Sequence, residues 1–75
     1  MFEATLSFEC KNPEIIKKSL EPDIKNDKYS TTEIETKNGL LVVKIKSEKI
    51  THLKGIVNTY ISLVNMLIET EDGVI

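Results

Sequence analysis

The chain has 75 residues, a formal net charge of −2, one cysteine and one histidine. A chain this short holds a single core and buries only roughly 60–65% of its unfolded surface, so it usually needs a disulfide, a metal or another chain for stability. One cysteine excludes an internal disulfide, one His with one Cys argues against a structural zinc site, and the acidic balance excludes bulk attraction to nucleic acid, which leaves oligomerisation as the expected stabiliser.

Phe2 to Cys10 alternates: Phe2, Ala4, Leu6, Phe8 and Cys10 share one face, and Glu3, Thr5, Ser7 and Glu9 the other. This pattern predicts a half-buried strand. Cys10 reads as a small core residue, because no base or cationic cluster lies beside it. Asn12, Pro13 and Glu14 then form a helix start, with an N-cap, a proline at the first position and an acid in the first turn. Ile15, Ile16 and Leu20 give the helix its apolar side, and Glu21-Pro22 ends it. Asp23 to Lys28 reads as a polar connector anchored by Ile24.

Two further strands are predicted, Tyr29 to Lys37 and Leu40 to Lys46, joined by Asn38-Gly39. Asn-Gly between two such runs specifies a two-residue type I′ hairpin turn. The turn fixes the register: Lys37 opposite Leu40, Thr36 opposite Leu41, Ile34 opposite Val43 and Thr32 opposite Ile45. Ile34, Leu41, Val43 and Ile45 then share the buried face, while Glu33 and Lys44 pair on the other face beside Glu35 and Lys46. A right-handed crossover through the first helix makes strands one and two parallel, with strand three between them. The expected fold is α+β: a three-stranded antiparallel-type sheet of order 1-3-2 and topology β-α-β-β-α, with two helices on one face. Residues 1–70 make the single domain, and 71–75 a frayed tail.

The long second helix, predicted from Thr51 to Thr70 with Thr51 at its N-cap, is the unusual element. At about 100° per residue its apolar residues span an arc of roughly 160°, more than a helix needs to cover a core. That arc holds Leu53, Ile56, Val57, Tyr60, Ile61, Leu63, Val64, Leu67 and Ile68. The other face carries Gly55, Asn58, Thr59, Ser62 and Asn65, small residues that let another backbone approach. The helix is therefore expected to cover its own sheet and to keep surface for a second protein. Its apolar run is broken by Asn58, Ser62 and Asn65, so it is not membrane-spanning. No basic segment followed by an apolar run opens the chain, so no signal peptide is read and a cytoplasmic, reduced location is expected.

Constellations that would carry chemistry are weak. Glu33 and Glu35 stand roughly 6.5–7 Å apart along one strand face, a spacing compatible with paired carboxylates. Their face is open, and Lys44 lies opposite, so a solvated surface is the better reading. His52 has no nucleophile or acid near it in sequence. Gly39, Gly55 and Gly73 are isolated and cradle no phosphate. No cofactor and no metal is implied. Lys44, Lys46 and Lys54, with Lys37 nearby, form the one candidate contact for nucleic-acid phosphates.

The stretch Leu53-Lys54-Gly55-Ile56-Val57-Asn58-Thr59-Tyr60 resembles the second-helix signature of the small dimerising subunit of the KEOPS complex. Leu20-Glu21-Pro22-Asp23 resembles that family's exit from the first helix, and the element order and length also agree. The resemblance implies a non-catalytic scaffold subunit that forms a homodimer and packs its helices on the catalytic threonylcarbamoyltransferase subunit. It implies that the dimer bridges two such subunits and assists tRNA binding for N6-threonylcarbamoylation of adenosine 37. The residues expected to meet the protein partner are Ile16, Leu20, Ile56, Asn58, Thr59, Tyr60, Leu63, Val64 and Leu67. Lys54 stands where the family pattern has arginine, which keeps the charge and loses bidentate geometry. A free-standing small α+β RNA-binding module is the alternative, and a small hydrolase built on Glu33 and Glu35 the third reading.

Overall fold

The computed structural model describes residues 1–24 and 26–71. Strand β1 spans Phe2–Glu9, helix α1 Pro13–Leu20, strand β2 Ser30–Lys37, strand β3 Leu40–Ser47 and helix α2 Ile50–Glu71. A 3-10 turn, Glu21–Asp23, continues α1 for three residues. The sheet has the order β1-β3-β2, and β3 is antiparallel to both neighbours. This is the expected fold, an α+β chain of three strands and two helices.

The hairpin shows how local chemistry fixes the rest. Asn38 and Gly39 both have positive φ, 48° and 80°. Both values are those of a type I′ turn, whose twist matches that of the strands. The register that follows pairs Lys37 with Leu40, Thr36 with Leu41, Ile34 with Val43 and Thr32 with Ile45. Leu41, Val43 and Ile45 are each 0% exposed. The central strand thus supplies the floor of the core.

Both helices lie on that floor. Helix α1 packs on β2 and β3, and α2 on β3 and β1. At the start of α1 the carbonyl of Asn12 accepts from the backbone N–H groups of Ile15 and Ile16, and the Thr36 hydroxyl donates to Glu14. Ile16 and Leu20 point into the core at 2% and 1% exposure. Ile24 packs against its margin, as expected of an anchor. Cys10 lies just past β1, partly buried against the core, and its thiol donates to the Phe8 carbonyl at 3.5 Å.

Several local expectations are corrected. Helix α2 starts before Thr51: the Lys49 carbonyl accepts from the Leu53 N–H at 3.0 Å, and the Ser47 hydroxyl oxygen accepts from the Lys49 N–H. Thr51 therefore sits in the first turn rather than at the cap. Phe2 belongs to the core face by alternation, yet it is 45% exposed. It pairs with Ser47 at the sheet's end, where the apolar floor stops. Glu33 is in register with Lys44, but the ion pair forms on the diagonal, between Lys44 and Glu35 at 3.4 Å. Lys46 pairs across to Glu3 on β1 at 3.6 Å. Helix α2 includes Glu71, and the remainder of the expected tail lies outside the described residues.

Candidate partner-binding surface

Helix α2 divides by depth. Leu53, Tyr60 and Val64 are buried and face the sheet. At about 100° per residue, Ile56 and Leu63 fall on one flank of that line, and Val57, Ile61 and Ile68 on the other. Ile56, Val57, Leu63, Leu67 and Ile68 are partly buried at the core's edge. Ile61 and Met66 are 43% and 55% exposed. From Gly55 to Ile68 the sequence has no charged residue. An exposed helix normally carries Lys and Glu along its wet side, so this stretch lacks the chemistry of a helix that stays in water. Gly55, Asn58, Thr59, Ser62 and Asn65 are all exposed there. A Cβ built on Gly55 meets nothing within 4 Å, so nothing within the protomer requires glycine at that position.

The Ile56 and Leu63 flank looks toward β2. Helix α1 has only eight residues, and the start of β2 is left under an open groove of about 470 Å³. Ile56, Tyr60 and Leu63 line one side, and Asp27, Ser30 and Thr32 the other, with Thr51, His52, Gly55 and Thr59 at the rim. Asp27 organises the polar wall. Its Oδ1 accepts from the backbone N–H groups of Tyr29 and Ser30, each at 2.8 Å, and from the Ser30 hydroxyl at 3.3 Å. These donors hold the Asp27 carboxyl below its ordinary value, the Tyr29 N–H contributing most, and His52 adds a smaller attraction. Beside it, the Asn26 Oδ1 accepts from the Thr32 N–H at 2.8 Å. In the sequence this pair falls within the polar connector from Asp23 to Lys28. An Asn-Asp dipeptide just before a strand is a recognisable side-chain turn signal.

Of the expected partner residues, Ile16, Leu20, Tyr60 and Val64 are spent on the core. Val64 is 0% exposed and offers no surface without unfolding, and Tyr60, at 5%, offers only the edge that lines the groove. Ile56, Leu63 and Leu67 are partly exposed, and Asn58 and Thr59 are exposed. Those five are the expected partner residues that keep surface on the folded chain.

The lysines do not converge. Alternation on β3 points Lys44 and Lys46 away from the helices, where Glu35 and Glu3 pair with them. Lys54 is exposed on α2, which covers the opposite side of the sheet. No single basic patch contains all three. Glu33 and Glu35 lie exposed on the open sheet face. Among the described residues no three His, Cys, Asp or Glu side chains are placed to hold a metal, and no helix is long and apolar enough to cross a membrane.

A protein-family model described as transcription factor Pcc1 matches residues 1–72. No curated protein matches the chain.

Proposed function

The chain belongs to the Pcc1 family, whose members are small accessory subunits related to the KEOPS complex, and from that premise we propose that it is the non-catalytic, dimerising scaffold subunit of that complex. In this reading it bridges two catalytic threonylcarbamoyltransferase subunits and helps them hold tRNA for N6-threonylcarbamoylation of adenosine 37. The site of action is cytoplasmic.

One observation carries the reading. Helix α2 presents a charge-free stretch from Gly55 to Ile68, apolar along its flanks and small and polar on its outer side. Small side chains admit a second helix at close distance, and partly buried Ile56, Leu63 and Leu67 gain apolar contact when it arrives. With two helices of the catalytic subunit, α1 and α2 would complete a four-helix layer. The groove beside β2 gives such a helix a seat.

The test is co-purification with the catalytic subunit. Asn58→Arg and Thr59→Arg place a long charge on the surface without entering the core. Each is expected to abolish co-elution while the circular dichroism and unfolding transition stay close to those of the parent. Full retention of the complex in both folded variants would overturn helical docking.

A further inference from the structure

We infer that the groove between α2 and the start of β2 takes a helix bearing one basic side chain, a lysine or an arginine, whose cation seats on the second carboxylate oxygen of Asp27. The inference rests on the proposed docking of the catalytic subunit and names the chemistry that its docking helix brings to this groove.

The two walls of the groove ask for different things. On the α2 side, Ile56 and Leu63 offer apolar surface, and Gly55 and Thr59 at the rim are small enough for a backbone to come near. Opposite them stands Asp27. It is the one carboxylate among the described lining residues, and no lysine or arginine is among them. Its two oxygens are used unequally. Oδ1 accepts from the Tyr29 and Ser30 N–H groups and from the Ser30 hydroxyl. Among the described residues, nothing donates to Oδ2.

The protomer's own cations are engaged elsewhere or stand apart. The Lys28 Nζ lies over the Tyr29 ring, 5.0 Å from its centroid. Lys44 and Lys46 pair with Glu35 and Glu3 on the far side of the sheet. His52 lines the groove, yet its attraction is the smallest of the influences on Asp27. Among the described residues, no ion pair joins Asp27 to His52 or to a lysine.

Seating a helix changes what that oxygen needs. In the open groove, Asp27 is exposed and water solvates Oδ2. A helix laid against Ile56 and Leu63 displaces this water, and a carboxylate stripped of water without a partner is costly. A neutral donor restores one hydrogen bond. A cation restores the bond and balances the charge, and such bonds are the stronger kind. Any amphipathic helix could use the apolar wall, so the apolar contact discriminates little. Asp27 supplies the discrimination: it rejects a helix that is apolar or acidic at this point and admits one that is basic there.

The experiment measures affinity for the catalytic subunit by calorimetric titration. Asp27→Asn keeps an acceptor for the two backbone N–H groups and removes the charge, and it is expected to weaken binding by about tenfold or more. His52→Lys leaves the Asp27 turn intact and sets a cation in the groove that occupies the carboxylate from within. It is expected to weaken binding in the same direction, and it is the second route should Asp27→Asn fail to fold. His52→Gln, and Glu33→Gln on the open sheet face, are expected to bind like the parent. Lysines and arginines of the catalytic subunit's docking helices are then replaced by methionine one at a time. One replacement is expected to weaken the parent complex by about tenfold or more and the Asp27→Asn complex by less than about twofold, the mark of a direct pair. Parent-like binding by both Asp27→Asn and His52→Lys, equal weakening by Glu33→Gln, or the absence of any basic residue coupled to Asp27 overturns the assignment. Helical docking still stands in that case if Asn58→Arg and Thr59→Arg abolish co-elution. A wild-type chain that fails to bind the catalytic subunit overturns both.

Discussion

Asp27 does two jobs with one oxygen. It closes the turn that starts β2, and it forms the polar wall of the groove beside α2. Backbone N–H groups favour its charged form, so its carboxyl is held below the ordinary value of 3.8. The sign follows from linkage: a depressed folded value means that ionisation stabilises the fold above the ordinary carboxyl range, and this is lost as pH falls through the lowered value. Asp27→Asn keeps an acceptor and removes the charge. Its urea midpoint is therefore expected below the parent's at neutral pH, with the gap closing in acid as the parent's carboxylate is protonated. A gap that is constant across that range would mean that the charge plays no part. Asn26 and Asp27 were not legible as site residues in the sequence. The Asn-Asp pair signals a turn, but nothing in the residue pattern sets that turn beside α2, which only packing decides.

At the scale of elements, the strands were more legible than the helices. Asn38-Gly39 admits one turn geometry, and a slip of one residue would have turned Leu41, Val43 and Ile45 out of the core. The strand order followed from the handedness of the crossover through α1. Helix α2 was harder because periodicity gives directions and says nothing of how far the neighbouring layer extends. Tyr60 and Ile61 fall in the same predicted apolar arc, yet one is 5% exposed and the other 43%. Their difference is set by the width of a three-stranded floor, a tertiary fact. Gly55 tests what the helix is for. Replacing glycine by alanine within a helix contributes about 1 kcal/mol of stability, and the added methyl has open space here. Gly55→Ala is thus expected to raise the melting temperature of the isolated chain. If a partner's backbone comes close at this point, the same methyl weakens the complex by tenfold or more, about 1.4 kcal/mol. A stabilised variant with undiminished affinity for the catalytic subunit would locate the contact elsewhere on α2.

At the scale of the whole molecule, charge is arranged against independent RNA binding. The chain carries 10 basic and 12 acidic residues. Two of the three candidate lysines are matched by Glu35 and Glu3, and Lys54 lies on the other side of the sheet. The sequence could not show this separation, because strand and helix periods are read one element at a time and only packing decides which sides coincide. Phosphate binding gains from counterion release, and its dependence on salt counts the phosphates neutralised. A free-standing RNA-binding module built on these lysines would lose affinity steeply with salt, and each lysine removed would flatten that dependence. A scaffold behaves otherwise. The isolated chain is expected to hold tRNA no tighter than the non-specific range of about 10⁻⁴–10⁻⁶ M. The assembled complex is expected to bind more tightly. There, a lysine that meets phosphate should lower the log–log salt slope by about 0.7–0.9 when replaced by alanine. Lys54 is the one expected to show this, since it stands on the helix proposed to face the partner and has no carboxylate paired with it among the described residues. Lys44→Ala and Lys46→Ala are expected to leave the slope of the complex unchanged. Filter-binding titrations from low to moderate salt, on the chain alone and on the complex, separate the two cases. Specific binding by the isolated chain that collapses with Lys44→Ala or Lys46→Ala would move tRNA recognition to the open sheet face.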